Sequence, residues 1–518
     1  MSRSRMKYFG IALVAIGLVA TVALALAART FPKIARRAVI GELEERFHST
    51  IEIGEIRITH LFPPRILVRD ITLRYHGRSD IPPLMVIERL TGSADVRSLW
   101  SRNWRLTTLH LDGLSIRILP RGDSGGSYIA LQKRPGFQIP PIEFDEITSN
   151  DALLEILPSL KQGKPHTFRI HHLLLRSVAR GQPAYFHAEL TNPVPAGEIE
   201  SEGTFGPWDP DEPGLTPVAA NFIFANADLG QFRGISGTLS STGHYGGVLE
   251  RLGVQGTASV PDFKLSIARM PVPLRVDYVA AVDGMNGNTY LRNVTAHFQQ
   301  TTVALTGEII DPPGPLPRKI VLSASARDAR AEDLLRLVTQ GKDVPLKGAV
   351  TLETRLELPS GPGELMHRLL LWGRFEISHA VFENPETRAE IAKFSSRAQG
   401  KPYARQIAPV SATIRGNLVL KKANADLSNL EFRLPGASLF LNGSYGLESE
   451  SLDFHGRLRL AAKLSQTTTG VKSFLLQAFN PLFKDAGGGS TLAVKVTGTR
   501  AHPAFGLDFR KSALRIRD

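Results

Sequence analysis

Most of the chain alternates hydrophobic and polar residues with a period of two, which predicts β-strands that have one buried face. In the segment DFHGRLRL, Phe454, Leu458 and Leu460 fall on one face, and polar or charged residues occupy the other. The segments GASLFLNG, TTVALTGEI and STLAVKVTGT repeat this pattern between residues that favour turns. The sequence therefore predicts a mainly β protein, built as an antiparallel sheet of short strands with one apolar side.

In several segments the hydrophobic positions shift by one residue part-way along. In LTTLHLDGLSIRIL they change from odd to even numbers across Asp112-Gly113, at Leu109, Leu111, Leu114, Ile116 and Ile118. Such a shift indicates either a hairpin with a two-residue turn or a β-bulge inside one strand. A tight turn suits Asp112-Gly113 and Gly54-Glu55, whereas Arg69-Asp70 favours a bulge because the turn would require a positive φ at arginine. Either arrangement keeps the apolar face continuous and predicts a curved sheet.

The N-terminal segment from Tyr8 to Ala28 carries no charge and lies between Lys7 and Arg29. About 20 apolar residues span a bilayer as a helix, so the segment predicts a single transmembrane anchor. An alternative is a cleaved signal peptide, because Ala25-Leu26-Ala27 fits a cleavage pattern, although the apolar stretch exceeds the roughly 7–15 residues usual there. The expected anchor residues are Tyr8, Phe9, Ile11, Leu13, Val14, Ile16, Leu18, Val19, Val22, Leu24 and Leu26.

Helical spacing and proline-rich breaks divide the rest of the chain. Helices are predicted at residues 32–47, 151–160, 331–340 and 471–483. Proline-rich breaks occur at 206–217 and 311–319. The predicted regions are therefore a cytoplasmic stub and anchor (1–30), an N-terminal β region (31–205), a central β region (206–318) and a C-terminal β region (319–518).

The sequence also contains a weak internal repeat. Tyr290–Gly307 aligns without gaps with Asp426–Gly443, and the hydrophobic positions agree throughout. Asn293 matches Asn429, and Gly307 matches Gly443. The repeat predicts an elongated structure that adds similar strand units.

Composition and motifs narrow the class of function. The 518 residues include no cysteine, which excludes disulfides, thiol catalysis and cysteine-based metal sites. The net charge is +13, but the basic residues are dispersed among acidic ones, so nucleic-acid binding is not expected. No P-loop, G-x-S-x-G or H-E-x-x-H motif occurs. The sequence thus predicts a protein that is not an enzyme, with no catalytic residues, cofactor or metal.

Several segments resemble the AsmA-like family of bacterial envelope proteins, relatives of the bridge-like lipid-transfer proteins. The N-terminal resemblance rests on PPRILVRDITLRY, VIERLTGSADVRSLW and LTTLHLDGLSIRILPRGD, which follow the apolar segment and a short helix. The C-terminal resemblance rests on LLQAFNPLFKDAGGGSTLAVKVTGTRAHPAFGLDF. Both ends of the chain resemble the family by motif, and the middle does so by pattern.

The resemblance implies a U-shaped β-groove with a chorein-like start, anchored in the inner membrane by one helix and extending into the periplasm. The implied function is to bind phospholipid acyl chains and move lipid towards the outer membrane, which supports outer-membrane integrity. Expected partners are membrane phospholipids, the inner membrane and other envelope proteins near the outer membrane. A non-transporting scaffold for outer-membrane protein assembly is the alternative. The expected apolar wall consists of Leu109, Leu111, Leu114, Ile116, Ile118, Leu439, Leu441, Phe454, Leu458 and Leu460.

Overall fold

The structure is a computed structural model. It describes residues 49–61, 64–75, 82–95, 104–118, 142–156, 166–179, 181–207, 213–284, 287–310, 319–339, 344–361, 363–400, 410–461, 490–500 and 502–508. In these ranges no helix is both long and apolar enough to cross a bilayer. The predicted anchor at 8–28 and the predicted helices at 32–47 and 471–483 lie outside them.

The described chain is mainly β, as predicted, and hydrogen bonds join 25 strands in one sheet. The strands are β1 Ser49–Leu61, β2 Pro64–Tyr75, β3 Met85–Ala94, β4 Trp104–Asp112, β5 Ser115–Ile118, β6 Ile142–Ile156, β7 His166–Val178, β8 Ala184–Pro193, β9 Ala196–Phe205, β10 Pro217–Asp228, β11 Ile235–Ser236, β12 Thr238–Val248, β13 Arg251–Leu265, β14 Val272–Val282, β15 Thr289–Phe298, β16 Thr301–Ile310, β17 Lys319–Arg330, β18 Leu346–Pro359, β19 Leu370–Phe382, β20 Ala412–Lys421, β21 Asn424–Leu434, β22 Ala437–Gly446, β23 Ser451–Leu460, β24 Ser490–Thr499 and β25 Pro503–Leu507. Most are longer than the five or six residues of an average strand, so the expectation of short strands was wrong. The α-helices are α1 Ala331–Arg336, α2 Leu365–Arg368 and α3 Pro385–Ala398.

Strands that follow one another in the chain pair antiparallel in most of the sheet, but β6 is an exception. It runs parallel to β4, where Leu109 lies opposite Ile147, and parallel to β5, where Ser115 lies opposite Leu153. A parallel pair requires a long crossover connection, and residues 119–141 supply one of sufficient length. Hydrophobic alternation is the same in parallel and antiparallel strands, so the pattern could not reveal this pairing.

The shifts in hydrophobic position are kinks inside strands, and they are neither hairpins nor bulges. Both β4 and β5 pair with β3 in one continuous register: Leu111 lies opposite Leu90, and Ile116 lies opposite Met85. The chain therefore continues in one direction through Gly113, which has φ +63°. Gly54-Glu55 likewise lies inside β1. The tight turns suggested for these two pairs were wrong. The bulge suggested at Arg69-Asp70 was wrong as well, because β2 pairs one residue to one with β1 and β3 through Asp70, whose φ of +56° makes the kink.

The kinks of neighbouring strands lie next to one another. The pairs on either side place Asp70 beside Gly54 on β1 and beside Glu88 on β3. On β6 the corresponding residue is Asp151, at φ +55°, and the helix predicted at 151–160 is instead strand through Ile156. The kink moves the apolar positions by one residue, and this shift resembles helical spacing.

Contacts within the chain define two compact units. Unit 1 comprises the described residues up to Gln231 together with 239–258 and 279–289, and unit 2 comprises 232–238, 259–278 and the described residues from Tyr290 onward. The largest fully buried side chains of unit 1 come from β2 to β4, with no more than 2 % of each exposed: Ile66, Ile71, Leu73, Met85, Ile87, Leu90, Leu106, Leu109 and Leu111. Unit 2 contains smaller clusters, two of which include residues of a helix.

The helices of unit 2 include one predicted from sequence and two that were not. Helix α1 confirms the helix predicted at 331–340. Helix α3 begins at Pro385, and the Asn384 side chain accepts a hydrogen bond of 2.9 Å from the Thr387 backbone N–H. Asparagine followed by proline is a favoured start of a helix, so a signal for α3 was present in the sequence.

Candidate functional site

Unit 2 carries rows of apolar side chains that cross the strands. The register of β16 to β25 aligns them, and apart from Thr354 every member of the three rows is apolar, aromatic or glycine. Row 1 is Leu305, Ala324, Thr354, Gly373, Leu418, Leu427, Gly443, Phe454, Val496 and Phe505; row 2 is Ala329, Val350, Ile377, Ile414, Phe432, Leu439, Leu458 and Leu492; row 3 is Gly307, Leu322, Leu356, Leu371, Leu420, Ala425, Tyr445 and Leu452. We call the surface formed by these rows the apolar face of unit 2. At about 4.8 Å per strand, row 1 covers about 43 Å.

Side chains in the middle of this face are only partly buried. Leu305 on β16, Leu356 on β18 and Leu418 on β20 all retain partial exposure. At β22 and β23 the rows are closed at two positions, with 6 % of Phe454 and 8 % of Leu458 exposed, whereas Leu439, Tyr445 and Val496 remain partly exposed. Partial exposure therefore extends along the rows, including their centre.

The closed end of the face is covered in part by helix α3. Phe394 packs against the cluster formed by Leu441, Phe454 and Leu458, and Ala398 belongs to that cluster. The Ser395 hydroxyl donates a 2.8 Å hydrogen bond to the Pro435 carbonyl. The helix is thus fixed to the turn between β21 and β22.

Unit 1 shows a similar change in burial along its own rows. One row runs through Val68, Leu90, Leu111, Ser149, Leu173, Ala188, Ser201 and Phe222. Val68 and Leu111 are almost fully buried, at 0 % and 2 % exposed. Leu173, Ala188 and Phe222 are only partly buried, whereas Ser201 between the last two is 7 % exposed. The row of unit 1 is therefore fully buried from β2 to β6 and partly buried at several positions from β7 to β10.

Polar atoms on the apolar face of unit 1 are paired with protein groups. The Ser149 hydroxyl donates to the Leu111 carbonyl at 3.0 Å. The Ser201 hydroxyl donates to the Asn221 carbonyl and accepts from the Tyr245 hydroxyl, both at 3.0 Å. Burial raises the pKa of Tyr245 above its ordinary value, against the smaller opposite effect of its bond to Ser201. These hydroxyls are therefore neutral and already satisfied.

The opposite face of the sheet is charged and held by ion pairs between neighbouring strands. Arg105 pairs with Asp145 at 2.7 Å in unit 1, and Arg374 pairs with Glu353 at 2.5 Å in unit 2. Glu431 receives hydrogen bonds from both Arg415 and Arg433 at 2.6 Å. The two faces therefore differ sharply in polarity, as the alternation predicted.

Most of the residues expected to form the apolar wall are buried. Exposure is 1 % for Leu109, 2 % for Leu111, 3 % for Leu114, 6 % for Ile116, 8 % for Leu441, 6 % for Phe454, 8 % for Leu458 and 7 % for Leu460. Leu439 is partly buried, and Ile118 is the last residue of β5. The structure places the first group in unit 1 and the second in unit 2.

Sequence reasoning missed the accessible centre of the face. Its side chains include Leu305, Leu322, Leu352, Leu356, Leu371, Phe375, Leu418 and Leu427, all partly exposed. The sequence contains a signal for these residues. The segments TLETRLEL and LLWGRFEI alternate apolar and polar residues as regularly as the segments that supplied the expected wall residues.

Comparisons of this chain with protein-family models, curated proteins and solved structures found no match.

Proposed function

We propose that this chain binds phospholipid acyl chains along its apolar face and helps to move lipid between the inner and outer membranes of a bacterial envelope. The proposal follows the resemblance to the AsmA-like family. The observation that carries it is the partly exposed centre of rows 1 to 3 in unit 2. A large exposed apolar surface requires a partner, and acyl chains match it in polarity.

The rows suit a ligand that moves. Burying each methylene group contributes about 0.8 kcal/mol, so an acyl chain gains affinity from its length and not from a specific contact. Thr354 and Tyr445 are the only members of the rows with a polar side-chain atom, so the rows offer few groups that hold a headgroup at one position. Neighbouring positions along a row therefore bind a chain with similar free energy, and this favours sliding.

A pair of adjacent substitutions tests the proposal. Leu418 is on the apolar face, and the next residue, Val419, points to the charged face, where 37 % of it is exposed. We expect Leu418→Asp to lower the phospholipid recovered with the full chain by at least about tenfold, because a carboxylate among acyl chains lacks a partner. Lipid mass spectrometry after detergent-free purification measures this amount.

The matched control is Val419→Asp, which we expect to retain the lipid of the unmodified chain. Equal lipid recovery from both variants, or no phospholipid above the level of an unrelated protein, would contradict the proposal. Thermal unfolding of both variants confirms that the comparison is made between folded proteins.

A non-transporting scaffold for outer-membrane protein assembly is the second candidate. The dense packing of Leu90, Leu106 and Leu109 favours it, because apolar side chains sealed by protein leave no space for lipid. For a scaffold sealed throughout, Leu418→Asp would bury an unpaired charge and lower the free energy of unfolding by several kcal/mol. For a lipid-binding face the same change leaves stability nearly unchanged.

A further inference from the structure

Unit 2 contains a depression of about 630 Å³, a volume typical of small-molecule sites. Most of its lining residues belong to the charged face, and Leu305, Ala324, Thr354 and Gly373 of row 1 complete the lining. Its floor consists of small side chains from β16 and β17: Ala304, Thr306, Ser323 and Ser325. Register places Thr306 opposite Ser323, and Ala304 opposite Ser325. The larger side chains of β18 and β19 stand beside this floor, and the difference in size creates the depression.

Trp372 forms the apolar part of the depression. Its side chain is 41 % exposed, although its cross-strand neighbour Arg355 and most other residues of this face are polar. An indole ring has a large apolar surface and a single N–H donor, and buried positions usually make use of both. On this face the protein leaves much of the ring uncovered, which provides a flat apolar platform beside polar groups.

The polar groups around Trp372 are arranged to bind hydroxyls. Arg374 donates two hydrogen bonds to one Glu353 carboxylate oxygen, at 2.9 and 2.5 Å, and this fixes both side chains. Asn293 and Asn417 add side-chain amides at the margins, and each amide carries both donors and an acceptor. The described residues form no hydrogen bond with the hydroxyls of Thr306, Ser323 or Ser325.

We propose that this depression binds carbohydrate, with one ring of an oligosaccharide stacked on Trp372. A sugar ring presents an apolar C–H surface and a rim of hydroxyls, which matches an indole platform bordered by amides, hydroxyls and an ion pair. The charges of Glu353 and Arg374 compensate each other, so the site favours an uncharged glycan over a phosphorylated one. The side chains proposed to bind the sugar alternate along their strands with those of row 1 and belong to the opposite face of the sheet.

Saturation-transfer NMR on the full chain, in a detergent without a sugar headgroup, tests this proposal. The probes are maltohexaose, cellohexaose and chitohexaose. We expect at least one of these oligosaccharides to bind with a Kd of about 1 mM or tighter. The substitution Trp372→Ala should weaken the binding of that oligosaccharide at least about tenfold. Trp372→Phe retains an aromatic platform and should remain within about threefold of the unmodified chain. Lipid recovery should be the same for all variants.

Two further variants keep the test decisive. Tyr290 is 45 % exposed on β15, so Tyr290→Ala controls for loss of an exposed aromatic residue and should bind as the unmodified chain does. Ser325→Tyr fills the floor without changing Trp372 and should abolish binding, which covers the case in which Trp372→Ala does not fold. The absence of saturation transfer to all three glycans at about 10 mM, or unchanged binding by Ser325→Tyr, would overturn the proposal.

Discussion

At the scale of single residues, two glycines of the apolar face permit the close approach of neighbouring strands. A Cβ atom at Gly443 would lie 2.6 Å from the Phe454 Cα and overlap the Asp453 carbonyl oxygen. Gly307, its equivalent in the internal repeat, meets the Val321 carbonyl in the same way. The repeated glycine is therefore explained by close contact with the next strand.

We predict that Gly443→Ala lowers the free energy of unfolding by about 1–3 kcal/mol, because the added methyl group forces the backbones of β22 and β23 apart. Denaturant unfolding measures the change. Gly506→Ala is the matched control, since its nearest neighbour is the flexible end of Lys495 at 3.3 Å. If both variants unfolded at the same denaturant concentration, the close approach would have no energetic importance.

Glu431 is a buried carboxylate on the charged face, with 5 % of the residue exposed. Burial alone would raise the pKa of Glu431, but hydrogen bonds from Arg433 and Arg415 outweigh burial and hold it below the ordinary value. A lowered folded-state pKa stabilises the fold above the unfolded-state value of about 4.3, and this stability is lost as pH falls through the folded-state pKa.

The expected result for Glu431→Gln is a loss of about 1–2 kcal/mol at pH 7, since the charge-assisted hydrogen bonds from Arg415 and Arg433 are weakened. The stability difference from the unmodified chain should shrink as the pH is lowered below about 4. Unfolding curves at a series of pH values measure it. A difference that stays constant down to pH about 2 would show that the charge of Glu431 is not responsible.

At the scale of elements, kinks at single residues of positive φ let long strands keep one apolar face. Asp151 is exposed and has φ +55°, a conformation that aspartate tolerates better than β-branched residues do. We predict that Asp151→Val destabilises unit 1 by about 1–2 kcal/mol, whereas Asp151→Gly is close to neutral. Thermal unfolding compares the two variants, and equal loss in both would assign the effect to the lost carboxylate instead.

The alternation of residues predicted the strands well but could not predict how completely each face is covered. Leu109 and Leu418 occupy equally regular strands, yet Leu109 is 1 % exposed and Leu418 is partly exposed. A period of two determines which side of a strand is apolar. What packs against that side depends on contacts distant in sequence. The residues predicted to form the lipid-binding wall, such as Leu109, are therefore mostly buried side chains.

The predictions of helices and of strand pairing failed for local reasons. Asp151–Ile156 was predicted to be helical because the kink at Asp151 breaks the alternation. Helix α3 was overlooked because PETRAEIAKFSSRA has a weak apolar stripe, although Asn384-Pro385 marks its start. The parallel alignment of β4 with β6 leaves no trace in hydrophobic periodicity.

At the scale of the whole molecule, binding through charge and binding through apolar contact should depend differently on salt concentration. The chain carries a net charge of +13, so its association with vesicles of anionic phospholipid should weaken between about 0.1 M and 1 M salt as screening increases. Acyl chains held by rows 1 to 3 should be retained over the same range, because apolar contact is not screened. Vesicle flotation and lipid mass spectrometry measure the two quantities. Loss of bound lipid in parallel with vesicle association would assign lipid binding to charge.

The matching hairpins β15–β16 and β21–β22 bear on how such a sheet can change in length. Each hairpin inserts two strands, so the next strand resumes the original direction and its oily side chains stay on the original side. Inserting a single strand would reverse the direction of everything after it. Gene duplication of one hairpin could thus extend the surface by about 10 Å at a time without redesign of its neighbours.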